Sequence, residues 1–290
     1  MHNIHPTALV DPKAELGNGV VVGGYSVIKG PVRIGPGTVI HEHTHLQGRT
    51  VIGRDCQIGP AAYVGLPPQH LRANLEVGEL VVGDGVIIRE TATIHRATAA
   101  GEENATRIGN HCFVMGGVHI GHDCRLDEHV IAANGVLLGG HCQIGEGAFL
   151  GGGCTLHQFV RVGRLAILAG NEAASQDIPP FATMRYGGLK AYNARGCRRA
   201  GMAAATIHAI RSAYHCLHRY RVVSAALEEI RETVPDLPEI RELIEFIRLS
   251  KRGILPSRYG HERLGPIGMD GMDSQTDRPV PCRARHALGS

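Results

Sequence analysis

His122 is followed directly by Asp123, and eighteen residues further on Gly140 is followed by His141. A neutral imidazole takes a proton from a hydroxyl, and a carboxylate beside it holds the ring oriented and stabilises the imidazolium. Such general-base help is worth roughly 10² to 10⁴ in rate. A glycine N–H facing a developing oxyanion contributes on the order of 3 kcal/mol more. With these groups together, a hydroxyl attacks an acyl carbonyl directly and no nucleophilic serine or cysteine is needed. His119 and His157 belong to the same histidine-rich run, whereas His41, His43 and His45 have no carboxylate or glycine company of this kind and read as surface residues. The chemistry has one structural condition, which is that residues eighteen apart lie one above the other.

The pattern around these residues meets that condition. Every sixth residue is apolar through Ile108, Val114, Ile120, Leu126, Ala132, Leu138, Ile144, Leu150, Leu156, Val162 and Leu168. Four places later in each hexad comes a small residue, as in Cys112, Val118, Cys124, Val130 and Val136. The same count runs from Ile4 to Val64 and resumes at Val82, Ile88 and Ile94. A period of six suits neither an amphipathic helix nor an alternating strand. It suits a hexapeptide-repeat solenoid whose chain turns a corner every six residues and stacks each coil on the last. Three hexads per coil place residues eighteen apart at roughly 4.8 Å, the ordinary strand spacing. His122 then lies beneath Gly140, and Asp123 beneath His141.

Composition agrees. The 290 residues include 39 glycines, no tryptophan, five phenylalanines and seven tyrosines, which suits a narrow β-prism with many corners and small interior residues. A formal charge of +3 gives no support to nucleic acid as a partner. No stretch approaches the roughly 20 apolar residues of a membrane span, and the repeat starts at once after Met1, so a cytoplasmic protein with no stable membrane insertion is expected. Cys56, Cys112, Cys124, Cys142 and Cys154 fall in the small interior slot and read as buried thiols. There is no CxxC pair and no phosphate-cradling glycine loop before a helix, and no motif asks for a cofactor or a resident metal.

The repeat organises the chain. Residues 1–185 read as a parallel β-helix interrupted by loops near 65–80 and 99–107. Such insertions gather on one face, commonly the binding face. The pattern decays after Leu168, where Glu172 takes a small-residue slot, and Ile178-Pro179-Pro180 closes the solenoid. Residues 186–255 read as a C-terminal helical domain. One helix is expected from Arg198 to Tyr220, a second from a cap at Ser224 to about Val234, and a third opened by Asp236 and Pro238 and running to about Lys251. Residues 256–290, rich in Pro, Gly and Arg, are expected to be disordered.

Several segments together resemble the UDP-N-acetylglucosamine O-acyltransferase family of lipid A biosynthesis over about residues 4 to 255. They are His119-Ile120-Gly121-His122-Asp123-Cys124, Leu156-His157-Gln158-Phe159, Gln176-Asp177-Ile178-Pro179-Pro180, Ile88-Arg89-Glu90 and Thr93-Ile94-His95-Arg96. The resemblance implies a left-handed parallel β-helix with a C-terminal α-helical domain, assembled as a homotrimer with active sites between subunits. It implies transfer of a 3-hydroxyacyl chain from acyl carrier protein to the 3-position of UDP-N-acetylglucosamine. His122 becomes the base on the sugar hydroxyl, Asp123 its orienting partner and the Gly140 amide the oxyanion donor. Gln69, His119, His141, His157, Gln158 and Asn193 match positions lining the substrate groove. Arg199 matches one near the nucleotide phosphates, and Gly170 the one that limits acyl length.

The match has departures. His70 stands where the family has aspartate, Arg195 where it has glutamate, and Ala200 where it has a second arginine. They motivate a second reading, a related acyltransferase for a different sugar-nucleotide acceptor such as a 3-amino sugar, and a catalytically silent solenoid as another. A further reading is a β-helical metal-dependent enzyme of the carbonic anhydrase kind, with His95, His119 and His122 as ligands.

Overall fold

Each hexad becomes a two-residue strand and a corner. His119–Ile120 pairs in parallel with Leu137–Leu138, which pairs with Thr155–Leu156. The second residue of each pair points inward, and Ile120, Leu138 and Leu156 are at most 1% exposed. Burying such a side chain is worth roughly 1.5–3 kcal/mol, so the apolar column fixes the stacking register coil by coil. The small slots fill the corners from inside: Cys56, Cys112, Cys124, Cys142 and Cys154 are all buried, as expected. The Cys124 thiol donates to the Gly139 carbonyl at 3.1 Å. At the corners the backbone passes through the left-handed region, with φ of 62° at Asp123, 63° at His141 and 65° at Phe159. A non-glycine residue pays roughly 1–2 kcal/mol for that conformation, and the paired strands on either side hold it there.

This computed structural model describes residues 3–72, 74–75 and 77–257. The strands form three faces of a prism with eleven, nine and eight strands among the described residues. The first face carries strands such as Phe113–Val114 and Phe149–Leu150, the second His119–Ile120 and Leu137–Leu138, the third Arg125–Leu126 and Gln143–Ile144. Partners in adjacent coils are eighteen apart, as in Val114 with Ala132. Two places differ. Ile58 pairs with Ile88, thirty residues on, and Ile88 with Val114, twenty-six on. The two insertions responsible leave the prism at one and the same edge. One joins Tyr63–Leu66 of the second face to Glu79–Val82 of the third, and the other joins Thr93–His95 to Thr106–Ile108. The corner holding His122 and Asp123 joins the same two faces one coil later.

The described residues all fall within one compact unit, residues 1–260. Ala182–Arg185 continues the first face, and Gly188–Tyr192 folds back antiparallel to it. Glu172, the residue that broke the repeat, accepts from the N–H groups of Tyr186 at 2.5 Å and Gly187 at 2.8 Å and so holds this hairpin's turn. Among the described residues four helices follow: α1 (Ala194–Arg199), α2 (Ala204–Arg219), α3 (Val223–Thr233) and α4 (Pro238–Arg248). The single helix expected from Arg198 is divided, because Gly201 adopts φ 75° just past the end of α1. Ser224 lies inside α3 and Val222 holds its cap position, while Pro238 opens α4 as expected from its preset φ. Arg164 grips Glu242 of α4 with Nη2 at 2.8 Å, and the buried Tyr214 hydroxyl of α2 donates to the Pro180 carbonyl at 2.6 Å. The tail expected to be disordered lies outside the described residues beyond Ser257.

Candidate active site

The second-to-third edge carries the histidine chemistry. His122 is 4% exposed, and its Nδ1 is 2.7 Å from Asp123 Oδ2. The ring lies directly under Gly140, where a Cβ would come within 2.5 Å of Cε1. Glycine is therefore required by the imidazole one floor below. Asp123 is held from three further sides. The Thr98 N–H donates to Oδ1 and its hydroxyl to Oδ2, both at 3.0 Å, and the Asp123 N–H donates to the Thr106 hydroxyl at 2.9 Å. Thr98 and Thr106 bracket the second insertion, so that loop clasps the carboxylate. His141 Nε2 approaches the same Oδ2 at 3.4 Å. Burial pushes the His141 pKa down, the Asp123 carboxylate pulls it up, and His122 and His70 push it down, with the net shift downward. The His141 ring stacks on Phe159 at 4.4 Å and meets the His122 ring edge-on at 5.2 Å.

Nearby, His95 Nδ1, one coil below, is 2.6 Å from the Pro67 carbonyl, and His119 Nδ1, in the same coil as His122, is 2.9 Å from the Thr93 hydroxyl. Burial lowers the pKa of both, which keeps these imidazoles neutral. His95 thereby pins the first insertion. Arg96 pins it further, donating to the carbonyls of Leu75 at 2.8 Å and Gly78 at 3.2 Å. The loop so held presents the exposed Gln69 and His70, with the His70 ring edge-on to His122 at 5.7 Å.

The remaining candidates divide. His157 and Gln158 are exposed on this edge, in the corner one coil above Gly140 and His141, and Arg252 Nη2 lies 3.2 Å from His157 Nδ1. Gly170 sits on a different edge, the first-to-second, above Gly152. Asn193 is beside the third edge, where its Nδ2 donates to the Leu165 carbonyl at 2.7 Å and its Oδ1 accepts from the Gly196 N–H at 2.8 Å. Its Oδ1 thus caps α1, whose last residue is the exposed Arg199, while its Nδ2 ties that cap to the solenoid corner. Within one chain, then, the structure gathers His119, His122, Asp123, Gly140, His141, His157 and Gln158 on one edge, with Gln69 reaching it by loop. Gly170, Asn193 and Arg199 lie elsewhere. Two clefts of about 370 and 670 Å³ lie on the third face and have no histidine in their walls.

Thr98 and Thr106 were not among the residues expected at the site, while His70 had been read only as a departure that alters the acceptor's contacts. Their signal was only positional: each lies in or beside an insertion. The donors of His95, His119 and His122 do not gather within ligand distance of one another among the described residues, although the His95 and His119 rings stand 5.1 Å apart. Among the described residues the donors that do converge are those of His122, Asp123 and His141, within 4.8 Å of one another.

Chemically, the edge offers a base with an oriented ring, a carboxylate held by a threonine, and a glycine amide above. The Gly140 N–H has no acceptor among the described residues, and a donor of that kind, fixed by the corner, faces an oxyanion without reorganisation.

Known proteins have this architecture. Residues 177–255 match the model of the second domain of UDP-N-acetylglucosamine O-acyltransferases, and residues 13–48 that of the bacterial transferase hexapeptide. An acyl-[acyl-carrier-protein]–UDP-N-acetylglucosamine O-acyltransferase from Thermodesulfovibrio yellowstonii is 40% identical over 257 residues, covering 88% of this chain and 99% of that protein. One from Halorhodospira halophila is 42% identical over 258 residues, covering 88% of this chain and all of the relative. Among solved structures, the UDP-N-acetylglucosamine acyltransferase from Campylobacter jejuni superposes with a TM-score of 0.82 at 32% identity, covering 88% of this chain and all of that one. The Francisella novicida enzyme gives 0.83 at 32%, covering 88% and 95%. The chain belongs to the UDP-N-acetylglucosamine O-acyltransferase family.

Proposed function

We propose that this chain transfers a 3-hydroxyacyl group from acyl carrier protein to the 3-hydroxyl of UDP-N-acetylglucosamine, the first step of lipid A biosynthesis. The relatives that match it over nearly their whole length carry the name of that activity. The observation that carries the mechanism is the His122–Asp123 contact of 2.7 Å beneath Gly140. His122 removes the proton from the sugar hydroxyl as its oxygen attacks the thioester carbonyl. Asp123 stabilises the imidazolium, and the Gly140 N–H takes the oxyanion of the tetrahedral intermediate. Collapse breaks the C–S bond, and the proton held by His122 goes to the leaving sulfur. Gln69, His119, His141, His157 and Gln158 contact the sugar nucleotide or acyl chain along the same edge. The exposed Arg195, Arg198 and Arg199 of α1 attract the acidic carrier protein or the nucleotide phosphates.

The working form in this reading is a homotrimer. The outward residues of the first face are mostly apolar, Val21, Val39, Ile87, Phe113, Ile131, Phe149 and Ile167, with Gln57 the polar one between Val39 and Ile87. Those of the third face include Glu15, Arg33, Arg107, Arg125 and Arg161. An apolar face beside a charged one suits contact with neighbouring copies on one side and water on the other. A neighbour also accounts for Gly170, Asn193 and Arg199 lying on other edges, since a second chain can bring its own copies of these residues to the His122 edge. No described helix is long and apolar enough to cross a membrane, and this reading places the enzyme in the cytoplasm.

The test is purified protein assayed with a 3-hydroxyacyl carrier protein and UDP-N-acetylglucosamine, with the product mass read directly. His122→Ala is expected to abolish transfer while the trimer survives; retention of most of the activity sinks the assigned base. A specific observation supports the second acceptor reading, namely His70 edge-on to His122. A panel containing the 3-amino sugar nucleotide decides between them, and clear preference for UDP-N-acetylglucosamine eliminates the amine acceptor.

A further inference from the structure

We infer that His122, Asp123 and His141 form a binding site for a late first-row divalent cation such as Zn²⁺, and that filling it excludes the base function of His122. The second half rests on the proposed role of His122; the binding itself does not. One ligand atom from each residue lies within 4.8 Å of the others. His122 Nδ1 and His141 Nε2 stand 2.7 and 3.4 Å from the same carboxylate oxygen of Asp123. The ring centroids of His122 and His141 are 5.2 Å apart and those of His122 and His70 5.7 Å. Two imidazoles bound to one tetrahedral zinc at about 2.0–2.1 Å per Zn–N bond carry their centroids roughly 5 Å apart. Small side-chain shifts therefore convert the cluster into two histidines and a carboxylate on one ion, with His70 placed at the remaining side on its loop.

The donors suit a borderline cation rather than Mg²⁺ or Ca²⁺, because imidazole nitrogen favours zinc, copper and nickel. The Thr98 bonds to Asp123 act as the supporting shell such ligands need. Competing thiols are poor ligands here. Cys112 and Cys124 are buried inside the prism, away from the edge where the donors converge. Exclusion of catalysis follows from the ring itself. A neutral imidazole has one lone pair. With the metal on one nitrogen the proton resides on the other, and no lone pair remains for a substrate hydroxyl.

The experiment titrates Co²⁺ into the untagged, metal-free full-length protein and reads the visible absorption of four-coordinate cobalt. One equivalent per chain is expected, with Zn²⁺ displacing it. Zn²⁺ should suppress acyl transfer over the same concentration range, and EDTA should restore it. His141→Gln and, separately, Asp123→Asn should each weaken cobalt affinity by about tenfold or more. A silent wild-type titration overturns the inference, as does stoichiometric binding that neither variant weakens. If either variant loses its β circular-dichroism signal, the other decides. Full occupancy with undiminished acyl transfer overturns the exclusion. Loss of transfer in His122→Ala together with silent cobalt leaves the acyltransferase reading standing and removes the metal site alone.

Discussion

The imidazole of His122 fills the space where a side chain at residue 140 would be: a Cβ there stands 2.5 Å from Cε1, 2.8 Å from Nε2 and 3.0 Å from Nδ1. The ring cannot retreat freely, because Asp123 holds its other side at 2.7 Å. Gly140→Ala therefore tilts the base away from its productive pose. A misplacement of that order costs about 10²-fold in rate, and we expect kcat/KM to fall by at least that much with the thermal midpoint nearly unchanged. Wild-type kinetics in this variant refute the stacked arrangement.

Asp123→Asn retains the shape of the side chain and removes its charge. The imidazolium formed during proton transfer loses its counter-ion, and kcat should drop by about 10² to 10⁴, the range of general-base assistance. Thr98→Val removes one of the two Thr98 bonds to the carboxylate. A hydrogen bond to a charged group is worth about 1.5–3 kcal/mol net, so kcat should fall by roughly ten- to a hundredfold. Steady-state kinetics on both variants checks the order: a Thr98→Val defect as deep as that of Asp123→Asn means the loop, not the carboxylate charge, carries the effect.

These relationships were legible to different degrees. A strict period of six fixes which residues stack, so the His122–Gly140 and Asp123–His141 adjacencies follow from counting. Both insertions also come after a second-face strand, at Val64 and at Ile94, so their shared edge is implicit in the phase of the repeat. Counting fails where the chain leaves the repeat. Thr98 and Thr106 reach Asp123 across spacings of 25 and 17 residues, set by an insertion whose path no periodicity dictates. Asn193 matched a groove position by resemblance, yet in this chain its Oδ1 caps α1 and its Nδ2 is bound to the Leu165 carbonyl. That outcome depends on Leu165 of a distant corner presenting its carbonyl.

Stability should weaken on the acid side of neutrality. Burial lowers the folded-state pKa of His95, His119 and His218 below the ordinary value of 6.5. The unfolded chain then binds more protons than the native one as pH falls below about 6.5, so unfolding becomes easier until the folded histidines also protonate. Above that window these groups contribute no pH dependence. Thermal midpoints measured from pH 7.5 to 5 should decline, and replacing His95 with Asn should flatten part of the slope. A flat profile across the window contradicts neutral burial of these rings.

The assembly prediction concerns the first face, where Phe149 is 37% exposed in a run with Ile87, Phe113, Ile131 and Ile167. Its neighbours above and below in the coil stack are Ile167 and Ile131, so a partner chain would bury a continuous apolar strip. An arginine there brings a charge whose desolvation the strip cannot compensate. Phe149→Arg should shift the mass measured by light scattering from that of three chains to that of one, with β circular dichroism preserved. Arg33→Ala on the charged third face should leave the mass unaltered. The dissociated chain should also lose acyl transfer although His122, Asp123 and Gly140 are untouched, because Gly170, Asn193 and Arg199 of one chain lie on edges other than that of its own His122. A folded Phe149→Arg protein that stays trimeric, or a monomer that retains full activity, rules out the between-chain site.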